Sequence, residues 1–148
     1  MTTMSGSTLL KDHQVVVDYY GAWPSFHDAE VYRVTLDRGS VDERPSITLV
    51  VHAFASDGSV DEKGYYRIVT SVLVTLKCHD VSASELRDLG PQNVLSSLDF
   101  ESTAEGVRVT LGPCYGLSGS LVCSQVVVDS VVPWRSPTED APPVKPRS

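Results

Sequence analysis

Apolar residues recur at two different periods along this chain. Over residues 10–20, Leu10, Val17 and Tyr20, with Val16 beside them, suit one face of a short helix; Asp12 stands near its start and Gly21 would stop it. The β-branched run Val15-Val16-Val17 keeps a strand open as the alternative. After Trp23-Pro24 the period becomes two. Tyr32, Val34 and Leu36 share one face of a strand over 30–36, and Ile47, Leu49, Val51 and Ala53 share one face of a second over 46–54. A third, over 65–78, is apolar on both faces around Val72-Leu73-Val74, as a strand covered on each side requires. Strands four, five and six are expected over 94–100, 107–111 and 117–128.

Turn chemistry separates these runs. Gly39 and Pro45 bound the loop 38–45, Ser56-Asp57-Gly58-Ser59 forms a turn, and Glu105-Gly106 and 112–116 form two more. Residues 79–93, with Ser82, Ser84, Gly90 and Pro91, read as a loop carrying at most one helical turn over 83–89. Gly119, inside the sixth strand, suggests a bulge. Short connections favour neighbouring antiparallel pairs. The expected fold is therefore mainly β (α+β): an antiparallel meander sheet of about six strands with a short N-terminal helix. Residues 1–10 are small and polar and are expected to be flexible, 11–132 form a single β-rich domain, and 133–148 form a disordered tail. Pro133, Pro137, Pro142, Pro143 and Pro146 leave that tail few ladder donors and little to bury.

Composition adds limits. With 148 residues, 41% hydrophobic and 21% charged, the chain has the makings of one folded domain with a core. No apolar run approaches the roughly 20 residues that span a bilayer. The first ten residues lack the basic and apolar stretches of a signal peptide, so the expected location is cytoplasmic. Cys78, Cys114 and Cys123 show no C-x-x-C spacing and read as reduced packing groups, although Cys114 and Cys123 could face each other across a hairpin. A net charge of −7 argues against nucleic acid. It serves solubility, and it would also draw a basic partner. If the meander holds, one end of the sheet collects Asp28, Glu30, Asp57, Asp61, Glu62, Glu101 and Glu105 against Lys63 alone.

The stretch Gly21-Ala22-Trp23-Pro24-Ser25-Phe26-His27-Asp28-Ala29-Glu30 holds the densest chemistry. His27 could act as a base tuned by Asp28 or Glu30, or His27 and Glu30 could hold a metal. The structural alternative has Pro24 fixing the chain path while Trp23 and Phe26 plug one end of the core. Successive strand residues point to opposite faces, which counts against His27 and Asp28 cooperating. His13, His52 and His79 do not complete a familiar ligand spacing, and no G-x-S-x-G, Walker or G-x-G-x-x-G motif is present. Neither a cofactor nor a metal is expected. The rival functions left open are a small metal-dependent or His/Asp enzyme using His27, Asp28 and His52, and a β module that binds a small ligand.

The Gly-x-Trp-Pro-Ser-Phe-His-Asp-Ala-Glu stretch resembles the signature of the immunity protein 50 family of bacterial toxin–immunity systems. Gln92-Asn93-Val94 and the run Gly116 to Pro133, with Cys123 and its Val-Val-Pro ending, are similar to later elements of that family. The resemblance covers roughly residues 15–133. It implies a cytoplasmic, non-catalytic protein that binds and neutralises a cognate toxin. Trp23, Pro24, Phe26, His27, Asp28 and Glu30 would then be architectural. The candidate partner contacts are Asp57, Asp61, Glu62, Glu101, Glu105 and Tyr65, with Tyr66 and Tyr115 as further aromatic anchors.

Overall fold

A 3-10 turn (Ser7–Leu9) and one helix, α1 (His13–Tyr20), precede eight strands. These are β1 (Glu30–Asp37), β2 (Ser46–Val60), β3 (Tyr66–His79), β4 (Ala83–Arg87), β5 (Val94–Thr103), β6 (Gly106–Tyr115), β7 (Ser118–Cys123) and β8 (Gln125–Pro133). The computed structural model describes residues 6–134 except 61 and 65, with residues 55–60 and 66–70 described by backbone alone. All strands pair antiparallel in one sheet of order β4-β7-β6-β5-β1-β2-β3-β8. The fold is mainly β, as expected, with eight strands in place of six.

The strand count differs for two local reasons. Residues 83–87, expected in a loop or helical turn, form β4 on the outside of β7, with Ala83 opposite Val122 and Arg87 opposite Ser118. Their polar composition hides a strand that has only Leu86 to tuck in. The run over 117–128 is divided at Ser124 into β7 and β8. The Ser124 N–H donates to the His79 carbonyl at 2.9 Å, and its hydroxyl lies 3.0 Å from an Asp80 carboxylate oxygen. That fixed bend sends the chain from β7, beside β6, to β8, beside β3.

The meander holds only in two pieces, β1-β2-β3 and β5-β6-β7. Packing explains the three non-sequential neighbours. A single eight-residue helix cannot cover an eight-stranded sheet, so the two halves must cover each other. Leu49, Val51, Val74 and Leu76 from one half share a single buried cluster with Leu98, Phe100, Val109, Leu111 and Leu121 from the other. The sheet thus folds over its own interior. Each fully buried aliphatic side chain there contributes about 1.5–3 kcal/mol from water exclusion.

Several expectations shift at the level of single residues. In β1 the register slips between Val31 and Arg33, leaving Tyr32 as a bulge residue. Val31 stands opposite Val51, Val34 opposite Leu49 and Leu36 opposite Ile47. Val31 and Val34 therefore turn inward and Tyr32 leaves that face, while Leu36 keeps the inward phase but is exposed near the strand's end. Helix α1 forms despite its β-branched run, buries Val16 and ends at Gly21, whose N–H donates to the Val17 carbonyl. Asp12 precedes it in the left-handed region without a side-chain cap.

The described part of the expected flexible N-terminus is held. Gly6 N–H donates to the Phe100 carbonyl, Leu10 is buried, and Lys11 exchanges main-chain bonds with Val126 and Val128. Pro133, placed in the tail from the sequence, ends β8 opposite Val72, where an edge strand tolerates a missing N–H. Residues 135–148 lie outside the described residues. Cys123 meets buried Cys78, not Cys114, which is exposed. The hydrogen bond between the two thiols and their burial push the Cys78 thiol up and keep it protonated.

Gly119 is the residue on which β4 depends most. Its φ of 131° suits glycine, and a Cβ there would run into the Glu85 main-chain oxygen. Gly119→Ala is expected to lower stability by about 1–3 kcal/mol and to speed amide exchange selectively in β4. Unchanged exchange at residues 83–87 in the variant would refute this reading.

Candidate functional site

The Trp-Pro-Ser-Phe-His-Asp stretch lies where the two halves of the sheet join. Glu30 pairs with Val94, the one register pair between β1 and β5. Three main-chain bonds extend the contact: Asp28 N–H to the Leu95 carbonyl, Leu95 N–H to Ala29, and Val31 N–H to Asn93. Phe26 and Asp28 both take positive φ, 59° and 65°, which turns the chain sharply into β1. Trp23 packs edge-on against Phe26 at 5.6 Å and Phe100 at 6.2 Å, capping the interior from above.

Asn93 completes the joint from the other side. Its side-chain oxygen accepts from Gly90 N–H at 2.9 Å and Leu117 N–H at 3.0 Å, and its amide donates to the Gly90 carbonyl. Gly116 packs so closely that a Cβ would strike the Gln92 carbonyl oxygen. The three sequence elements at 21–30, 92–94 and 116–117 therefore converge on one architectural clamp.

His27 lies beside this clamp as a poor catalytic candidate. Its side chain is 65% exposed, and its Nδ1 sits 3.2 Å from the Ser96 carbonyl oxygen. Asp28 is not extended, so alternation does not separate the pair as expected; the two side chains approach to 3.8 Å. With Nδ1–H donating to Ser96, a neutral ring turns a lone pair toward the Asp28 carboxylate. Asp28 then accepts no proton from the ring and does not serve as the carboxylate that tunes it. Among the described residues no group of three or more His, Cys, Asp or Glu is placed to hold a metal ion.

His52 belongs to a different place, the outer face of β1, β2, β3 and β8. Its ring stacks on Trp134 at 4.3 Å and on Tyr32 at 5.8 Å, with Phe54 tilted against it at 5.6 Å. Its Nε2 lies 2.6 Å from the Ser71 hydroxyl oxygen, and the Trp134 indole N–H donates to the Tyr32 hydroxyl. Only 8% of His52 is exposed although it faces away from the core. Burial pushes its pKa down to about 4, so the ring is neutral at physiological pH. Tyr32 is 48% exposed.

The acidic candidates stand at one end of the sheet. In strand order the start of β1, the β2–β3 connection and the β5–β6 turn open toward the same end. Glu62, Glu101 and Glu105 are exposed there. Tyr115, also exposed, lies toward the opposite end of β6. Asp61 and Tyr65, and the side chains of Asp57 and Tyr66, lie outside the described residues.

The family model for immunity protein 50 matches residues 12–134, most of the chain. The chain belongs to the immunity protein 50 family. No curated protein and no solved structure matches it.

For this immunity protein 50 chain, the motif that carries the family resemblance and the surface with the most exposed aromatic chemistry are distinct places that meet at Glu30. The matched segment ends at Trp134, so the outer-face stack lies within it. Sequence reading missed Tyr32, Phe54 and Trp134 as a group. His52 and Phe54 occupy the phase of β2 opposite Ile47, Leu49, Val51 and Ala53, and aromatics on that outward phase were the available signal. Trp134 was hidden by the proline-rich tail that follows it.

Two outcomes follow from this geometry. Asn93→Ala strands three polar partners and is expected to lower stability by about 2–4 kcal/mol in urea unfolding; a loss under 1 kcal/mol would remove the clamp's importance. An unfolded His52 takes its proton near pH 6.5 and the folded one only near 4, so between those values the unfolded chain binds more protons. Stability from this residue is then intact above pH 6.5 and falls as the pH drops toward 4, by about 3 kcal/mol in all. Denaturant midpoints for wild type and His52→Gln should diverge over that window; parallel curves would contradict it.

Proposed function

We propose that this chain neutralises a cognate bacterial toxin in the cytoplasm by direct protein–protein binding, without catalysis of its own. The family match over residues 12–134 carries this reading. The structure supports it in two ways. The residues with the most obvious chemical potential, His27 and Asp28, are part of the clamp region where the sheet halves join. The exposed carboxylates at one end, and a net charge of −7, suit a basic partner surface and fast electrostatic association. The contacts proposed there are Glu62, Glu101 and Glu105, joined by Asp57, Asp61 and Tyr65.

Co-expression with the product of the gene adjacent to its own, expected to be the toxin, gives the direct test. The two products are expected to co-purify in a defined stoichiometry, and the toxin's growth inhibition should vanish when this chain is present. Full toxicity in cells that hold an excess of the folded chain would overturn the proposal. Replacing Glu62, Glu101 and Glu105 together by glutamine should slow association and reduce its salt dependence while leaving the fold intact.

A further inference from the structure

The outer faces of the two sheet halves differ sharply. On β4-β7-β6-β5 the outward residues are mostly small or charged: Glu85, Arg87, Ser120, Thr110, Arg108 and Asp99. On β1-β2-β3-β8 the outward phase holds Tyr32, His52, Phe54 and Trp134, with Val132 also exposed. No element among the described residues packs over this second face.

Tyr32 follows inward Val31 onto that face, and the bulge sets Arg33 outward beside it before Val34 turns inward again. A bulge disrupts the ladder locally and re-aims a side chain, and such bulges gather at functional surfaces. Once outside, the tyrosine is locked by a parallel stack on His52 and by the Trp134 indole N–H, so its ring is presented rigidly with nearly half its surface open.

Glu30 supplies the charge. It stands directly opposite His52 in the β1–β2 ladder and so shares this face. Its carboxylate is near enough to Tyr32 to help hold the phenol's pKa up. Among the described residues Glu30 takes part in no ion pair; the pairs present are His27–Asp28 and Arg87–Glu85. Exposed Arg33 lies on the same face, opposite Val50, without closing on Glu30. The neutral His52 ring adds no repulsion. An open aromatic face next to a carboxylate with no ion pair among the described residues is the combination that receives a cationic side chain, by cation–π attraction and an ion pair together.

We infer that the face around Tyr32, His52 and Trp134 docks an arginine or lysine side chain of the toxin, with Glu30 as its counter-ion. This rests on the neutralisation proposed above and names a surface and a partner chemistry for it.

Calorimetric binding of the cognate toxin, sought as the product of the adjacent gene, to the full chain tests the inference. Tyr32→Leu, which keeps bulk but removes the ring, is expected to weaken binding about tenfold or more, while Tyr32→Phe keeps most of the affinity. Glu30→Gln should weaken it by about tenfold and flatten its salt dependence. Glu85→Gln, on the other half's outer face, serves as the control and should bind as wild type. Thermal unfolding of each variant separates lost contact from lost fold. Full affinity in folded Tyr32→Leu and Glu30→Gln overturns the docking site and leaves neutralisation standing, and so does an equal loss in Tyr32→Phe and Tyr32→Leu for the ring's role. A wild-type chain that does not bind the toxin overturns both.

Discussion

A sheet of eight strands with one short helix has more apolar surface than any other element can hide. Everything else in this molecule answers that shortage: the sheet must fold until its halves hide each other. Two places make the folding possible. At β1–β5 the chain joins the halves through a few main-chain bonds, and at Ser124 a single residue carries the chain from one half to the other. The Trp23–Phe26–Phe100 contact and the Asn93 amide hold the first place, and the His79 and Asp80 contacts hold the second.

This division of labour explains why the densest motif is architectural. Two residues in the left-handed region, a proline and two aromatics are needed to bring β1 sharply onto β5. Residues that meet such a narrow geometric demand are poor material for a variable recognition surface. The contacts proposed above lie instead on the outer face and the turns, where side chains can change without disturbing the joint. That separation leaves the surface free to vary while the fold is kept.

Much of the fold was legible in the alternation of side chains. Ile47, Leu49, Val51 and Ala53 lie inward as their spacing demands, and Gly21 ends α1 as its backbone freedom allows. What escaped were features that alternation cannot encode. The bulge at Tyr32 shifts phase without any glycine to announce it. Strand β4 is defined by its neighbour β7, since its own residues are mostly polar. The bend at Ser124 interrupts a run that reads as one strand, and the non-sequential pairings depend on long-range burial. The candidate surface was harder still, because His52, Tyr32 and Trp134 lie far apart in sequence and meet only through the pairing of β1, β2, β3 and β8.

The treatment of the two flanks of the sheet bears on colloidal behaviour. Along β8 the main chain of Lys11 occupies Val126 and Val128, and Pro133 offers no donor at the strand's end. On the opposite flank β4 is only five residues long and carries Glu85 and Arg87. Neither side offers a long, flat, hydrophobic template, so stacking of copies into fibres finds little purchase at either boundary. Edge-to-edge pairing of copies is thereby disfavoured along the described strands.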